Sequence, residues 1–593
     1  MPQELDLQRL PIVVAVTGHR DLRPGDEPIL AQAIDTIFAQ FQKRYPSTPL
    51  LLLTPLAEGA DQLAAEAARR RSIPYRVPIP MPLQNYREDF PSPVALARFE
   101  ELLSAADGPP YVMPFFESNT AANISDARRR AHQYALLAAH LGRASHVFIA
   151  LWDGVPSGTV GGTAQAVRFR VLGTPSRYHQ KSFIDAPETG PVYQVYTTRS
   201  ANSVLAHETG YRSLRVRAAA GDSGPRLPNS LVEQFAEIDE RSAAAPDPFE
   251  TLYGRIEAFN QDCARVPRPE LDVRESAARS LMRVAERVAT YYQRKFVKAL
   301  QLIFFATAVA VLSFLLYADV LHRAHPIVLV YLAASGVAVS TYLAARRGRW
   351  QDRAQDYRAL EVGLHVQQAW DAAGLERSVA DYYIRRQRSE LDWIRDAIRT
   401  VHSVDRRYVF DEAHAVATVR DFVLRQYAYF AGAEGGAQRE RRKASLHHGI
   451  NRIALRISFA FSMLLLAYGL IAWLAPGHLE ALPDEESWHG YLIFTIGSTA
   501  AAAALVHDYS GRRAHDQQAR RYLLMGQIYR RALNALDEAE QRSAWRDLDD
   551  GPPPSPLQTA RACILELGHE ALSENSDWLL MHRELPIQLI SVH

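Results

Sequence analysis

Residues 149–169 read IALWDGVPSGTVGGTAQAVRF: an apolar run stops at Trp152-Asp153, a loop with four glycines follows, and a helical pattern opens at Thr163. A buried strand feeding a glycine-rich turn and then a helix is the repeating unit of an open α/β sheet. In such sheets the loop lies beyond the carboxyl end of its strand, where ligands bind. Glycine permits close backbone approach there, and the following helix N-terminus offers free N–H groups to an oxyanion.

The same alternation runs back to the start of the chain. PIVVAVT (11–17) reads as a buried strand, and 28–44 carries helical apolar spacing through Ile29, Leu30, Ala33, Ile34, Ile37 and Phe41. PLLLLTP (49–55) is a second strand ahead of the helical LAEGADQLAAEAARRR. YRVPIP (75–80), YVMPFF (111–116) and SHVFIALWD (145–153) follow as strands, with helices near 94–106 and over 124–142. PVYQVYT (191–197) is expected to close the sheet. The pattern predicts an α/β domain with a parallel, doubly wound sheet over residues 1–200.

Three candidate ligand loops then share one sheet edge: Thr17-Gly18-His19-Arg20, Glu58-Gly59-Ala60-Asp61 and Gly161-Gly162-Thr163. A single glycine at a strand-to-helix turn often serves geometry alone, but three such loops beside Arg20 favour a nucleotide pocket. Arg20 suits bidentate phosphate recognition. His19 either contacts phosphate or caps a turn. Tyr86 and Trp152-Asp153 are candidates for ring stacking and hydroxyl binding, with packing against the sheet as the alternative for each aromatic.

The second half of the chain has a different character. Residues 299–318, 326–345, 457–475 and 490–506 are four runs free of Asp, Glu, Lys and Arg, each near the roughly 20 residues that cross a bilayer. Arg294, Lys295 and Lys298 precede the first run, and Arg346, Arg347 and Arg349 follow the second. Arg439, Arg441, Arg442, Lys443, Arg452 and Arg456 precede the third, and Arg512, Arg513, Arg520 and Arg521 follow the fourth. The linking segments are DVLHRAH (319–325) and the acidic PGHLEALPDEESWH (476–489). The bias of basic residues predicts two hairpins entered from the cytoplasm, with the N-terminal domain and C-terminus on that side. The small-residue run GSTAAAAA (497–504) either lines a lumen or lets helices pack closely. The spans carry no ionisable relay, which argues against a coupled transporter or voltage sensor.

RRGRWQDRAQDYRALEVGL and GRRAHDQQARRYLLMGQIY follow the two hairpins and align at a shift of 165 positions, setting Tyr357 on Tyr522 and Ala354 on Ala519. Duplication of a two-span unit is the expectation. The anticipated division is an α/β domain at 1–200, a linker or coupling region at 201–290, and two-span units at 291–400 and 439–545. A helical connector at 401–438 and a C-terminal tail at 546–593 complete it.

Composition narrows the classes. With 67 Lys and Arg against 66 Asp and Glu, no nucleic-acid partner held by phosphate attraction is expected. Cys263 and Cys563 are too far apart in sequence for a metal-binding motif or a disulfide framework. Glu4 and Asp6 stand where a signal peptide would be basic, so no cleaved targeting segment is expected.

The segments VTGHRDL (16–22), LAEGADQLAAEAA (56–68) and LWDGVPSGTVGGTAQAV (151–167) resemble the SLOG family. This is the Rossmann-like superfamily that includes the Smf/DprA and LOG proteins, and the likeness is to its YspA/YpsA-like branch. The two hairpins resemble SLATT domains, two-span modules that accompany SLOG and nucleotide-second-messenger enzymes in bacterial conflict systems. The resemblance implies a domain that senses or hydrolyses a nucleotide. LOG-type hydrolases carry a glutamate soon after their PGGxGT motif, whereas here Ala164-Gln165-Ala166 follows Thr163, so a sensor rather than an enzyme is expected. Glu58 and Asp61 stay as possible acids, with helix capping as their alternative role.

The combined expectation is an inner-membrane effector of an anti-phage system. A second messenger such as an ADP-ribose derivative of NAD or a cyclic oligonucleotide, made by a TIR-domain protein or a nucleotidyltransferase, would gate a homo-oligomeric pore. No cofactor or metal is expected. The rival readings are a membrane-tethered nucleotide hydrolase or phosphoribohydrolase and a housekeeping nucleotide-regulated channel.

Overall fold

The computed structural model describes residues 6, 8–23, 25–155, 157–179, 188–199, 211–216, 238–240, 248–270, 276–383, 391–404, 412–474, 485–544 and 555–584. They fall into two units: Met1–Ala285 with Gly363–Gln367 and Arg377–Val409, and Glu286–Val362 with Gln368–Glu376 and Phe410–His593. Most of the acidic segment 476–489, most of the polar stretch 200–247 and most of the turn-rich 547–557 lie outside the described residues.

In the first unit β1 (Ile12–Gly18) runs parallel to β2 (Leu50–Leu53) on one side and β6 (Val147–Trp152) on the other. Its side chains alternate between two cores, as the period of a strand requires. Ile12, Val14 and Val16 join Leu30, Ile34 and Phe38 of α1 (Glu27–Arg44) and Leu63 of α2 (Ala60–Arg70). Val13 and Ala15 join Leu137 and Leu141 of α5 (Ala127–Ala144) and Val167 of α6 (Thr163–Leu172). Each fully buried Val, Leu or Ile contributes about 1.5–3 kcal/mol, so this strand, covered by helices on both faces, anchors the unit.

The sheet order is β3-β2-β1-β6-β7-β8-β9, with β3 at Tyr75–Arg76, β7 at Val192–Tyr196, β8 at Tyr211–Val216 and β9 at Ile238–Glu240. Strands β3 to β7 in this order are parallel, as expected, whereas β8 and β9 add on antiparallel. Residues 191–197 therefore do not close the sheet. YRVPIP also divides: Tyr75–Arg76 pairs with β2, while β4 (Pro78–Ile79) leaves the sheet and pairs with β5 (Tyr111–Val112). Proline lacks the N–H needed inside a ladder, and Pro78, Pro80 and Pro114 confine these stretches to a separate two-stranded piece. Two short helices, α3 (Leu83–Arg87) and α4 (Pro93–Ser104), lie between them in sequence.

Part of the expected linker is a docked helix. In α7 (Pro248–Cys263), Asn260 exchanges hydrogen bonds with the Leu10 backbone at 3.0 and 2.9 Å, and Glu257 accepts from the Thr48 hydroxyl at 2.6 Å. Residues 377–404, anticipated within or just after the first two-span unit, belong to this sheet unit. Arg143 pairs with Glu188 at 2.9 Å and Asp381 at 2.7 Å, and Arg399 of α11 (Asp392–Val404) pairs with Glu188 at 2.5 Å. Removing one member of such a cluster leaves an uncompensated charge at about 3–5 kcal/mol where burial is complete.

The second unit is helical, and four of its helices are long and apolar enough to cross a membrane. Helix α8 (Ala277–Asp319, its first turns in the first unit) and α9 (Pro326–Arg347) form one hairpin, with the Phe314 and Tyr331 rings 5.9 Å apart. Helix α13 (Gly436–Leu474) and α14 (Glu485–Arg513) form the other, with the Ser458 hydroxyl donating to the Ile496 carbonyl at 3.4 Å. The hairpins meet through α8 and α14, antiparallel: Phe304 lies 5.4 Å from Tyr509, Leu315 faces Gly497, and a Cβ at Gly490 would sit 2.1 Å from the Asp319 carbonyl oxygen. The apolar window of α8 is 33% buried against 6% for the windows of the α9 and α13 spans, so α8 is the most enclosed of the three.

Each hairpin ends in a left-handed residue, Arg349 (φ 49°) and Ala514 (φ 48°), after which α10 (Trp350–Ala372) and α15 (His515–Ala544) begin. Helix α12 (Glu412–Ala431) packs on α15, where Phe430 stacks on Tyr529 at 5.5 Å. Helix α16 (Pro556–Glu584) covers Trp370, whose fully buried indole N–H donates to the Ile564 carbonyl at 3.1 Å. Trp370→Ala should destabilise by about 3–5 kcal/mol through the cavity it leaves, and Trp370→Phe by less; thermal unfolding of the purified full chain in detergent would rank the three proteins.

Candidate functional site

The carboxyl ends of β1, β2 and β6 carry the three glycine loops, which close on one another. The Ala60 N–H donates to the His19 carbonyl at 3.2 Å, and the Thr163 hydroxyl donates to the Gly18 carbonyl at 3.0 Å. A Cβ at Gly18 would lie 2.3 Å from that of Ala60. Gly59 has φ 85° and no space for a side chain beneath the Arg20 carbonyl; Gly161 has φ 77° and abuts the Ala131 carbonyl and Tyr134. These three glycines answer a steric demand.

Gly162 does not. Its φ is −84°, and a Cβ there would make only ordinary contacts of 3.4 Å or more with Thr159. It is the N-cap of α6, with no side chain of its own to satisfy the helix N-terminus, and it lines the cleft.

The cleft has a volume of about 340 Å³. Of the predicted residues, Thr17, Gly18, His19, Arg20, Asp61, Tyr86, Trp152, Gly161, Gly162 and Thr163 line it, whereas Glu58, Gly59, Ala60 and Asp153 do not. Gly59 and Ala60 shape the turn behind it. Asp153 acts through His19: its backbone N–H donates to His19 Nε2 at 3.2 Å, which leaves the ring proton on Nδ1. Burial lowers the His19 pKa against the pull of Asp153, so the imidazole is neutral at pH 7 and serves the turn rather than supplying a cation.

Tyr86 and Trp152 follow the packing alternative. Tyr86 is fully buried, sets its edge against Phe90 and Phe99 at 5.6 and 5.7 Å, and donates to the Pro55 carbonyl at 3.2 Å. Trp152 belongs to the α5–α6 core. Neither ring stands free for a base to stack on.

Arg20 is exposed, its guanidinium 5.1 Å from the centre of the Tyr134 ring. Tyr134 donates to Asp89, which also takes Arg130 at 2.8 Å. Arg199, beyond the end of β7, supplies a second cation to the lining, and Asp21 an opposing carboxylate. Sequence reasoning missed Tyr134 and Arg199. The rule that ligands gather past strand carboxyl ends reaches Arg199, two residues beyond the 191–197 run, but nothing local marks Tyr134 in the middle of α5.

Asp61 is the most perturbed acid of the cleft. Its carboxyl is buried and, among the described residues, accepts only the Ala57 N–H at 3.3 Å. Burial pushes its pKa up to about 7, against the opposing influence of Arg20 and that one hydrogen bond. A carboxyl that changes charge near neutrality can give or take a proton, or can let an anion approach when neutral.

No protein-family model, curated protein or solved structure matches the chain.

Two outcomes follow from this geometry. Gly59→Ala and Gly161→Ala should each destabilise by about 1 kcal/mol or more, while Gly162→Ser, which keeps a favoured N-cap residue, stays near wild type or above it, a contrast read by thermal unfolding. Asp61 has a folded pKa above its unfolded value, so its contribution to stability is complete under acid conditions and is lost as pH rises through about 7. The melting temperature of Asp61→Asn relative to wild type should therefore climb from about pH 5 to about pH 8.

Proposed function

We propose that this chain is a membrane effector gated by a nucleotide-derived signal. In this reading the sheet unit contains a Rossmann-like SLOG sensor, and the apolar helices are two duplicated hairpins of the SLATT kind. A homo-oligomer opens a pore or disrupts the bacterial inner membrane when an anti-phage second messenger arrives, and growth stops. The sensor and both chain ends face the cytoplasm.

One observation carries the reading: three glycine loops named from sequence meet around a single cleft that presents Arg20, Arg199 and the N-terminus of α6, on a chain with four membrane-length helices. Phosphate is the anionic group that suits guanidinium forks and free helix N–H groups together. Gly162, which steric demand leaves unexplained, is accounted for if a phosphate oxygen approaches its backbone. Duplication is supported by Arg349 and Ala514, left-handed residues 165 positions apart, the same shift that aligns the helices after them. A signal shifts such an effector only through preference for the open state; a tenfold preference contributes about 1.4 kcal/mol per site.

A second reading, a membrane-tethered nucleotide hydrolase, is favoured by the protonatable Asp61 in the same cleft.

The test is dye release from liposomes holding the purified full chain, with ADP-ribose derivatives and cyclic oligonucleotides added singly. Gly162→Asp is the informative variant, because aspartate is a good N-cap and its carboxylate would occupy the place of the incoming anion without harming the helix. Release by one nucleotide, lost in Gly162→Asp, is the expected result. Consumption of a nucleotide without release, abolished by Asp61→Asn and kept in Glu58→Ala, would replace the effector with the hydrolase.

A further inference from the structure

The two hairpins end alike, in left-handed Arg349 and Ala514, but the joints behind those residues are built from different chemistry. At the first, Lys295 of α8 lies 5.2 Å from the centre of the Trp350 ring and 5.0 Å from that of Tyr291, and Arg353 donates to the Tyr292 hydroxyl at 2.8 Å. Residues 285–298 and 346–360, which form this joint, contain no histidine. Side chains other than histidine keep their charge, in their ordinary ranges, between about pH 5 and pH 8.

The second joint is built from histidines. His447 of α13 precedes the uncharged run that begins at Ile457 by 10 residues, about 15 Å of helix, and so lies on the water side. Its ring stands 5.3 Å from that of His515, the first residue of α15, and 5.6 Å from that of Tyr509 on α14. His515 is buried and pairs through Nδ1 with the Glu440 carboxylate, which also takes Lys443 at 2.7 Å. His448 pairs with Asp516 at 2.7 Å in solvent, and Arg512 with Asp508 at 3.0 Å. The groups that act on His447 are His515, Arg513 and His448, all basic, while each of these carboxylates already has a basic partner. Among the described residues, His447 Nδ1 and Arg513 Nε are buried with no hydrogen-bond partner.

A charged His447 carries a proton on Nδ1, where no acceptor waits in the packed joint. Burial first, and then His515, Arg513 and His448, lower its pKa below the usual imidazole range. Against the effect of burial, hydrogen bonds from His515 and Lys443 hold the Glu440 carboxyl down to about 2, so a charge on His515 keeps its counterion through mild acid. A charge on His447 has none. When the helices part and water reaches the ring, His447 takes up its proton near pH 6.5 or so, whereas the packed joint takes it up only at lower pH. Packing is therefore complete above about pH 6.5, and each unit below favours the parted form by up to about tenfold until the packed-state pKa is passed. We infer that the base of the second hairpin is a proton-operated joint: charging of His447 beside His515 and Arg513 parts α13 from α14 and α15, while the first hairpin keeps its packing. This inference needs neither a ligand nor a pore and stands apart from the function proposed above.

Spin-label distances test it in the full chain in lipid nanodiscs, with Cys563→Ser in the background and buried Cys263 retained. Ser445→Cys with Gln517→Cys places labels on α13 and α15 at exposed positions outside the histidine contacts, and Gln293→Cys with Asp352→Cys is the control pair on the first hairpin. From about pH 7.5 to about pH 5 the second-hairpin distance should lengthen by about 2 Å or more, the scale of a helix shift at an interface, while the control distance stays constant. His447→Gln cannot take the charge; it should match wild type at neutral pH and lose the response to acid. No lengthening, an equal change at both hairpins, or a response retained in His447→Gln would each overturn the proposal.

Discussion

The whole loop edge of the sheet unit depends on a missing side chain at Gly18. The last residue of β1 has room for a hydrogen and nothing larger, since Ala60 and the Leu151 carbonyl already occupy the space where a Cβ would go. That vacancy lets the start of α2 lie on the end of β1, brings Thr163 within hydrogen-bonding reach of the Gly18 carbonyl, and holds three loops around one cleft. His19, turned inward and kept neutral, then fastens the β1 loop to the β6 loop through the Asp153 N–H. Positioning at this edge is thus achieved by close backbone packing and by the Thr163 and His19 side chains bonding to backbone groups of the neighbouring loops.

Local patterns made the centre of the fold legible. Residues 11–17, 49–55 and 145–153 are continuous apolar runs because both of their faces are covered, and they form β1, β2 and β6. The uncharged runs of the second half became membrane-length helices for an equally local reason, since length and lack of charge are properties of the segment alone. Legibility fell where a segment's place depends on partners distant in sequence. Residues 377–404 join the sheet unit through Arg143, Glu188 and Arg399, none of which signals to the others along the chain. The prolines around 78–80 and 114 were visible as residues, but their effect, exclusion from the main ladder, is expressed only once neighbouring strands are in place.

The candidate site divides in the same way. Ten of the fourteen residues chosen from sequence line the cleft, because glycine loops and strand ends are local features. What sequence could not assign was the job of each. Tyr86 and Trp152 reached the cleft wall as core residues, His19 as a structural imidazole, and Asp61 as a carboxyl whose burial, invisible in the chain, pushes its pKa up to about 7. Tyr134, in the middle of a helix, contributes because α5 happens to pass over Arg20.

The two adjacent glycines at 161 and 162 have a consequence for how this protein can diverge. Position 161 is closed to replacement by its backbone angle and by Ala131, whatever the cleft holds. Position 162 is open sterically, and its N-cap place accepts Ser, Thr, Asn or Asp as readily as glycine. Among descendants of this sequence, drift at 162 to those residues with 161 unchanged would mark a position that the fold alone constrains, with no anion bound at the helix end.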